Sequence, residues 1–160
     1  MNRFSLKALK LLVGAVAVSA PLMAGAYNFT QPFSYYANNV ELKKALSAFS
    51  LSQGFRSSNV AANIQGRISG RFQNINPDDF VKALEEAYNV GYYVLGREIH
   101  FYRLKDTKRR QISIRSGTGT ALMQYLRASN LVSNELPIRL NPQGTMLTIT
   151  GPDAYVNQLQ

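Results

Sequence analysis

Hydrophobic and polar positions follow two periods along this chain, and the switches between them mark out its elements. Phe33 to Tyr36 (FSYY) predicts a short aromatic strand. Asn38 and Asn39 offer caps for a helix from Val40 to about Ser52. Within it Leu42, Ala45, Leu46 and Phe49 repeat at i, i+3, i+4, i+7, which leaves Lys43, Lys44 and Ser47 on other faces. Gly54 suits the exit, and Ser57 to Val60 is a weak strand. An extended Gly66 to Phe72 places Ile68 and Phe72 on one face. Asn76-Pro77-Asp78-Asp79 is a strong helix start: a cap, a proline at the first helical position and two acids at the positive helix end. Phe80, Ala83, Leu84 and Ala87 form the expected buried stripe of that helix. Tyr92 to Leu95 and Glu98 to Leu104 then flank Gly96-Arg97, a two-residue hairpin turn with glycine first.

Lys105-Asp106-Thr107-Lys108-Arg109-Arg110 has no apolar residue and reads as an interdomain linker. After it come a strand at Gln111 to Arg115 and a turn at Gly117-Thr118-Gly119-Thr120. A helix follows from Ala121 to Ser129, expected to bury Leu122, Tyr125 and Leu126. Leu136 to Leu140 and Thr145 to Thr150 make a second hairpin. Gly151-Pro152-Asp153 opens a last helix with Tyr155, Val156 and Leu159 inward. The prediction is therefore an α+β chain of two small tandem domains, 27–104 in the order βαββαββ and 111–160 in the order βαββα. Each has a small sheet with helices on one face, and each is small enough to be marginal alone.

The start of the chain has a different layout. Arg3, Lys7 and Lys10 precede the apolar run Leu11 to Ala20, and Met23-Ala24-Gly25-Ala26 supplies the small residues that signal peptidase accepts. Gly14, Ser19 and Pro21 interrupt a run already shorter than the ~20 apolar residues of a membrane span. Residues 1–26 are thus expected to be a signal peptide, cut between Ala26 and Tyr27, that takes the chain out of the cytoplasm. The formal net charge of +9 would favour nucleic acid as partner inside a cell. For an exported chain it fits an acidic protein face or anionic lipid, with a simply solvated surface expected over either, and no nucleic-acid partner is expected.

Composition removes most catalytic chemistry. The chain has no cysteine and a single histidine, which excludes disulfides, thiolate metal sites, a thiol nucleophile and a multi-histidine zinc site. Asp78/Asp79 caps a helix and Glu85/Glu86 lies on a helix's solvent side, where adjacent residues diverge by ~100°. His100 sits in a strand with Glu98 and Tyr102 on its own face; a plain surface histidine is expected there over a pH-sensing or acid–base role. Gly117-Thr118-Gly119 lacks the rest of a phosphate loop, and it does not match the GxxG clamp of KH RNA-binding domains. No enzyme, cofactor or metal is expected.

Particular strings carry more information. Gly66-Arg-Ile-Ser-Gly-Arg-Phe72, the Asn76-Pro-Asp-Asp-Phe80 helix start and Tyr92-Tyr-Val-Leu-Gly-Arg-Glu-Ile-His-Phe-Tyr102 resemble the N-terminal periplasmic domain of secretins, those of type III secretion above all. Thr150-Gly-Pro-Asp-Ala-Tyr-Val156 resembles the S-G-P-P-x-Y-V segment of their next domain, with Thr150 for serine and Asp153 for the second proline. The resemblance covers residues 33 to 160. It implies a first domain of the secretin/TonB short N-terminal type and a second, KH-like ring-building domain. It also implies a structural role: a homo-oligomeric periplasmic ring beneath an outer-membrane secretin barrel, docked on an inner-membrane ring protein. The gate region of a full secretin is absent, so the chain is expected to be either a fragment or a separately encoded subunit, as where the rhizobial secretin is split in two. Lys105, Lys108, Arg109 and Arg110 are the candidate partner-docking residues. The alternative function is a signalling domain of a TonB-dependent receptor contacting an anti-sigma regulator.

Overall fold

The computed structural model describes residues 27–129, 131–133 and 135–159. The predicted signal peptide and Ala26 lie outside the described residues. The element order is β1 (Phe33–Glu41), α1 (Leu42–Ser52), β2 (Ser57–Val60), β3 (Arg67–Ile75), α2 (Pro77–Tyr88), β4 (Val90–Leu95) and β5 (Glu98–Arg103). A 3₁₀ turn (Leu104–Asp106) leads to β6 (Lys108–Ser113), α3 (Gly119–Ala128), β7 (Ile138–Leu140), β8 (Met146–Gly151) and α4 (Asp153–Gln158). Both predicted orders are present. The strands form three sheets: β1–β3 antiparallel, β2–β5–β4 with β2 parallel to β5, and β6–β8–β7 antiparallel.

Strand pairing moves the first boundary. β1 runs on to Glu41 because Val40 pairs with Ile68 and Glu41 with Arg67 across the ladder. The asparagines expected to cap α1 instead make a bulge: Asn39 has φ 53°, and Arg67 Nε donates to Asn39 Oδ1 at 2.9 Å. Helix α1 starts at Leu42 with no side-chain cap, and Leu42, Ala45, Leu46 and Phe49 are all buried. At α2 the predicted start holds, since Asn76 Oδ1 accepts from the Asp78 amide at 2.9 Å. The α2 stripe is shifted by one turn, however. Pro77, Phe80, Val81 and Leu84 are buried while Ala87 is exposed, the same i, i+3, i+4, i+7 pattern begun three residues earlier.

Two cores result. The first is aromatic: Phe80 lies 4.7 Å from Phe33, 5.1 Å from Phe49 and 5.3 Å from Phe72 between ring centroids. Such ring pairs contribute about 0.5–1.5 kcal/mol each beyond area burial. Every phenylalanine among the described residues belongs to this core or packs on it. Tyr27 joins at its edge, its ring 5.0 Å from Phe55.

The second core lies under the β6–β8–β7 sheet, where Leu147, Ile149 and Ile138 meet Met123 and Leu126 of α3 and Tyr155 and Val156 of α4. Here one expectation fails. Tyr125 is 65% exposed and Leu122 half-buried, because α3 turns Gly119, Met123 and Leu126 inward. Gly119 sits so close to Leu140 and the Gly144 carbonyl that a Cβ would lie 2.9 Å from both.

Candidate partner-docking site

The hairpin β4–β5 is the wall between the two cores. Alternate residues point to opposite faces of a strand, and both faces here are apolar. Tyr92, Val94, Ile99 and Phe101 face the first core; Tyr93 and Tyr102 are buried in the second, with Leu95 and Leu104 packed on it. The Tyr93 and Tyr155 rings meet edge-on at 5.1 Å across the seam. The Tyr155 hydroxyl donates to the Leu131 carbonyl. Gly91 permits the packing of Tyr102: a Cβ there would lie 2.8 Å from Tyr102 Cζ. The consecutive pairs Tyr92-Tyr93 and Phe101-Tyr102 were a readable sign of a strand covered on both faces, one that alternation alone misses.

His100 belongs to this seam. It is not the plain surface histidine expected: its side chain is only 13% exposed, stacked on Tyr93 at 4.7 Å and 4°. Glu98 Oε2 lies 3.7 Å from Nε2. Burial lowers the histidine pKa, and Glu98 acts the other way. Burial also pushes the Tyr93 phenol up to about 12. The imidazole works here as a packing group.

The candidate docking residues do not form one strip. Lys105 is exposed on the 3₁₀ turn, while Lys108, Arg109 and Arg110 lie in β6, so residues 105–110 are not a free linker. Antiparallel pairing with β8 places Lys108 opposite Gly151 and Arg110 opposite Ile149, and this recruits the segment into a sheet that its polarity alone does not predict. Lys108 Nζ donates to Asp153 Oδ2 at 2.8 Å, and Arg110 Nη2 to Asp153 Oδ1 at 3.1 Å. These two hydrogen bonds, with the charges behind them, hold the Asp153 carboxyl below the usual aspartate range. Asp153, one of the two residues that depart from the S-G-P-P-x-Y-V pattern, therefore holds two of the four docking candidates. Arg109, opposite Thr150 in the next row, is the strand's remaining basic side chain, on the other face from Arg110.

The structure also exposes large apolar side chains that the sequence pattern did not single out as surface: Tyr36 at 69%, Leu51 at 70% and Tyr125 at 65%. A shallow groove between α3 and β7 is lined by Met123, Arg127, Ile138, Arg139 and Leu140 among others. Among the described residues, no helix is long and apolar enough to cross a membrane. No group of three or more metal-ligating His, Asp or Glu side chains occurs among them either.

This mixed arrangement of small sheets and helices, βαββαββ followed by βαββα, matches the fold of secretin N-terminal domains. A Salmonella SPI-1 injectisome assembly, InvGN0N1:SpaPQR:PrgHK, contains a chain that superposes with a TM-score of 0.66 at 20% identity, over 81% of this chain and 90% of that one. The InvG, PrgH and PrgK basal body of the same injectisome gives a TM-score of 0.62, over 79% of this chain and 26% of that one. Sequence relatives place the resemblance in type III secretion. The type 3 secretion system secretin of Xanthomonas euvesicatoria is 24% identical over 128 residues, covering 80% of this chain and 21% of the relative. That of Shigella flexneri is 26% identical over 163 residues, covering 98% and 28%. The nodulation protein NolW of Rhizobium fredii is 23% identical over 141 residues, covering 88% and 57%. The chain thus spans between about a fifth and three fifths of the length of these relatives. No family model matches. The signalling-domain alternative gains no support from these comparisons.

Proposed function

We propose that this chain is a non-enzymatic ring component of a type III protein-secretion channel. It is exported through the leader of residues 1–26, cut between Ala26 and Tyr27, and it works at the periplasmic face of the outer membrane. Copies assemble into a homo-oligomeric ring beneath a secretin barrel, in the same or a separate chain, and the ring docks on an inner-membrane ring protein. The observation that carries this reading is the two-domain fold shared with the InvGN0N1 chain, at a TM-score of 0.66, together with relatives named as type 3 secretion system secretins. The joint between the domains fits such a role, because a shared aromatic wall presents both domains to neighbours as one body.

The test is affinity capture of the tagged full chain from gently solubilised envelopes, followed by mass spectrometry and negative-stain imaging. The expected result is ring particles that contain a secretin barrel. A monomer bound to an inner-membrane regulator, with no rings, would overturn the reading.

A further inference from the structure

The first domain carries two bare surfaces of opposite charge on opposite sides of its core. On the β1–β3 sheet Tyr36 pairs with Arg71, and both are exposed. The adjacent row, Tyr35 opposite Phe72, points the other way, and the Phe72 ring meets Phe80 of α2 at 5.3 Å. The Tyr36–Arg71 face therefore looks away from α2. The outer side of α2 is acidic: Asp78, Asp79 and Glu86 are exposed and Glu85 half-buried, against Lys82 alone. These are four of the nine acidic residues in a chain with 18 Lys and Arg.

Like charge accumulates at the end of α2, with Lys82 one turn back as the helix's one basic residue. Glu85 and Glu86 stand in the last turn, which has no basic residue, where the negative end of the helix dipole disfavours carboxylates. Burial, then Glu135 from the second domain and Glu86, raise the Glu85 pKa, and Lys82 opposes them in part. Among the described residues the ion pairs are His100–Glu98, Lys108–Asp153 and Arg110–Asp153, so neither the α2 acids nor Arg71 is in one.

We infer that the Tyr36–Arg71 face of one copy docks on the acidic outer side of α2 in the next copy. The occupant is a second copy because the chain itself supplies both halves of the complementarity. Tyrosine and arginine are the residue types that dominate interface energetics, the ring by area and the guanidinium by binding a carboxylate. A contact between two different faces of one molecule is heterologous and generates a ring when its rotation closes. This inference rests on the ring reading above and names the surfaces that build the ring.

The absence of cysteine allows a clean test on the full chain in envelopes. Gln73→Cys lies beside Arg71 on the bare β3 face, and Lys82→Cys stands amid the α2 acids, one turn from each; both positions are exposed. With both cysteines in one chain, oxidation is expected to give a ladder of dimers, trimers and higher multimers, whereas each cysteine alone gives none. Adding Arg71→Glu should cut the ladder about tenfold or more. Combining Arg71→Glu with Glu86→Arg, which also suits the helix C-terminus, should bring it back. Dimers from Gln73→Cys alone, or cross-links to another envelope protein instead of a ladder, would overturn the contact. Intact rings without a ladder would overturn the contact and leave the ring reading standing; a chain that forms no rings at all would overturn both.

Discussion

The two domains solve the problem of a small core in different ways. The first is self-sufficient: α1, α2, β1 and β3 surround one cluster of interlocking phenylalanines. The second has no phenylalanine among its described residues, and its core includes Tyr93 and Tyr102 from the hairpin of the first. A domain of some fifty residues has too little interior to bury its own apolar surface fully. Sharing a wall supplies that surface without lengthening the chain, and it makes the second fold depend on the first. The joint is therefore a packed seam, and the polar stretch 105–110 between the units is taken up by the 3₁₀ turn and the start of β6.

Separating the domains should break this comparison most completely. A chain ended after Leu104 should keep a cooperative thermal transition, whereas a chain begun at Lys105, deprived of Tyr93 and Tyr102, should show none in near-ultraviolet circular dichroism. Cooperative melting of the second piece alone would refute the borrowed core. A smaller, local perturbation is Gly91→Ala. A methyl at 2.8 Å from Tyr102 Cζ and from Leu104 Cδ2 should cost about 1–3 kcal/mol in denaturant titrations. Tyr102→Phe at the same contact should cost nothing, since the buried hydroxyl finds no hydrogen-bond partner among the described residues. Equal losses for the two variants would show that the seam is not steric.

The smallest effect concerns pH. Burial lowers the His100 pKa in the folded chain below 6.5, so as pH falls the unfolded chain takes up the proton first. The stability linked to the neutral ring is full above about pH 6.5 and declines as pH falls through the lowered value. Denaturant midpoints at pH 8 and pH 5 should differ more for the wild type than for His100→Phe. An identical pH response in the two would remove His100 from the seam's energetics.

Local chemistry made much of this legible from sequence. The Asn76-Pro77-Asp78 start, the apolar spacing of α1, the Gly96-Arg97 turn and the Tyr155–Val156 stripe each depend on residues within one or two turns of each other. What they do not carry is which strand lies beside which. Val40 and Glu41 read as the start of a helix until β3 pairs with them, and Lys108 to Arg110 read as linker until β8 pairs with them. The same pairing divides the candidate docking residues, since it puts Arg109 on one face and Lys108 and Arg110, beside Asp153, on the other.

The sequence by itself determined the number, order and type of the elements, and with them the resemblance to secretin N-terminal domains. Periodicity and caps are short-range properties, settled by the energetics of a single turn or strand. Only the tertiary structure decided that one hairpin serves two cores, that Tyr125 faces solvent while Met123 is buried, and that the Tyr36 face and the acidic side of α2 lie back to back. Those outcomes depend on contacts between residues far apart in the chain, where burial against a particular neighbour outweighs any local preference.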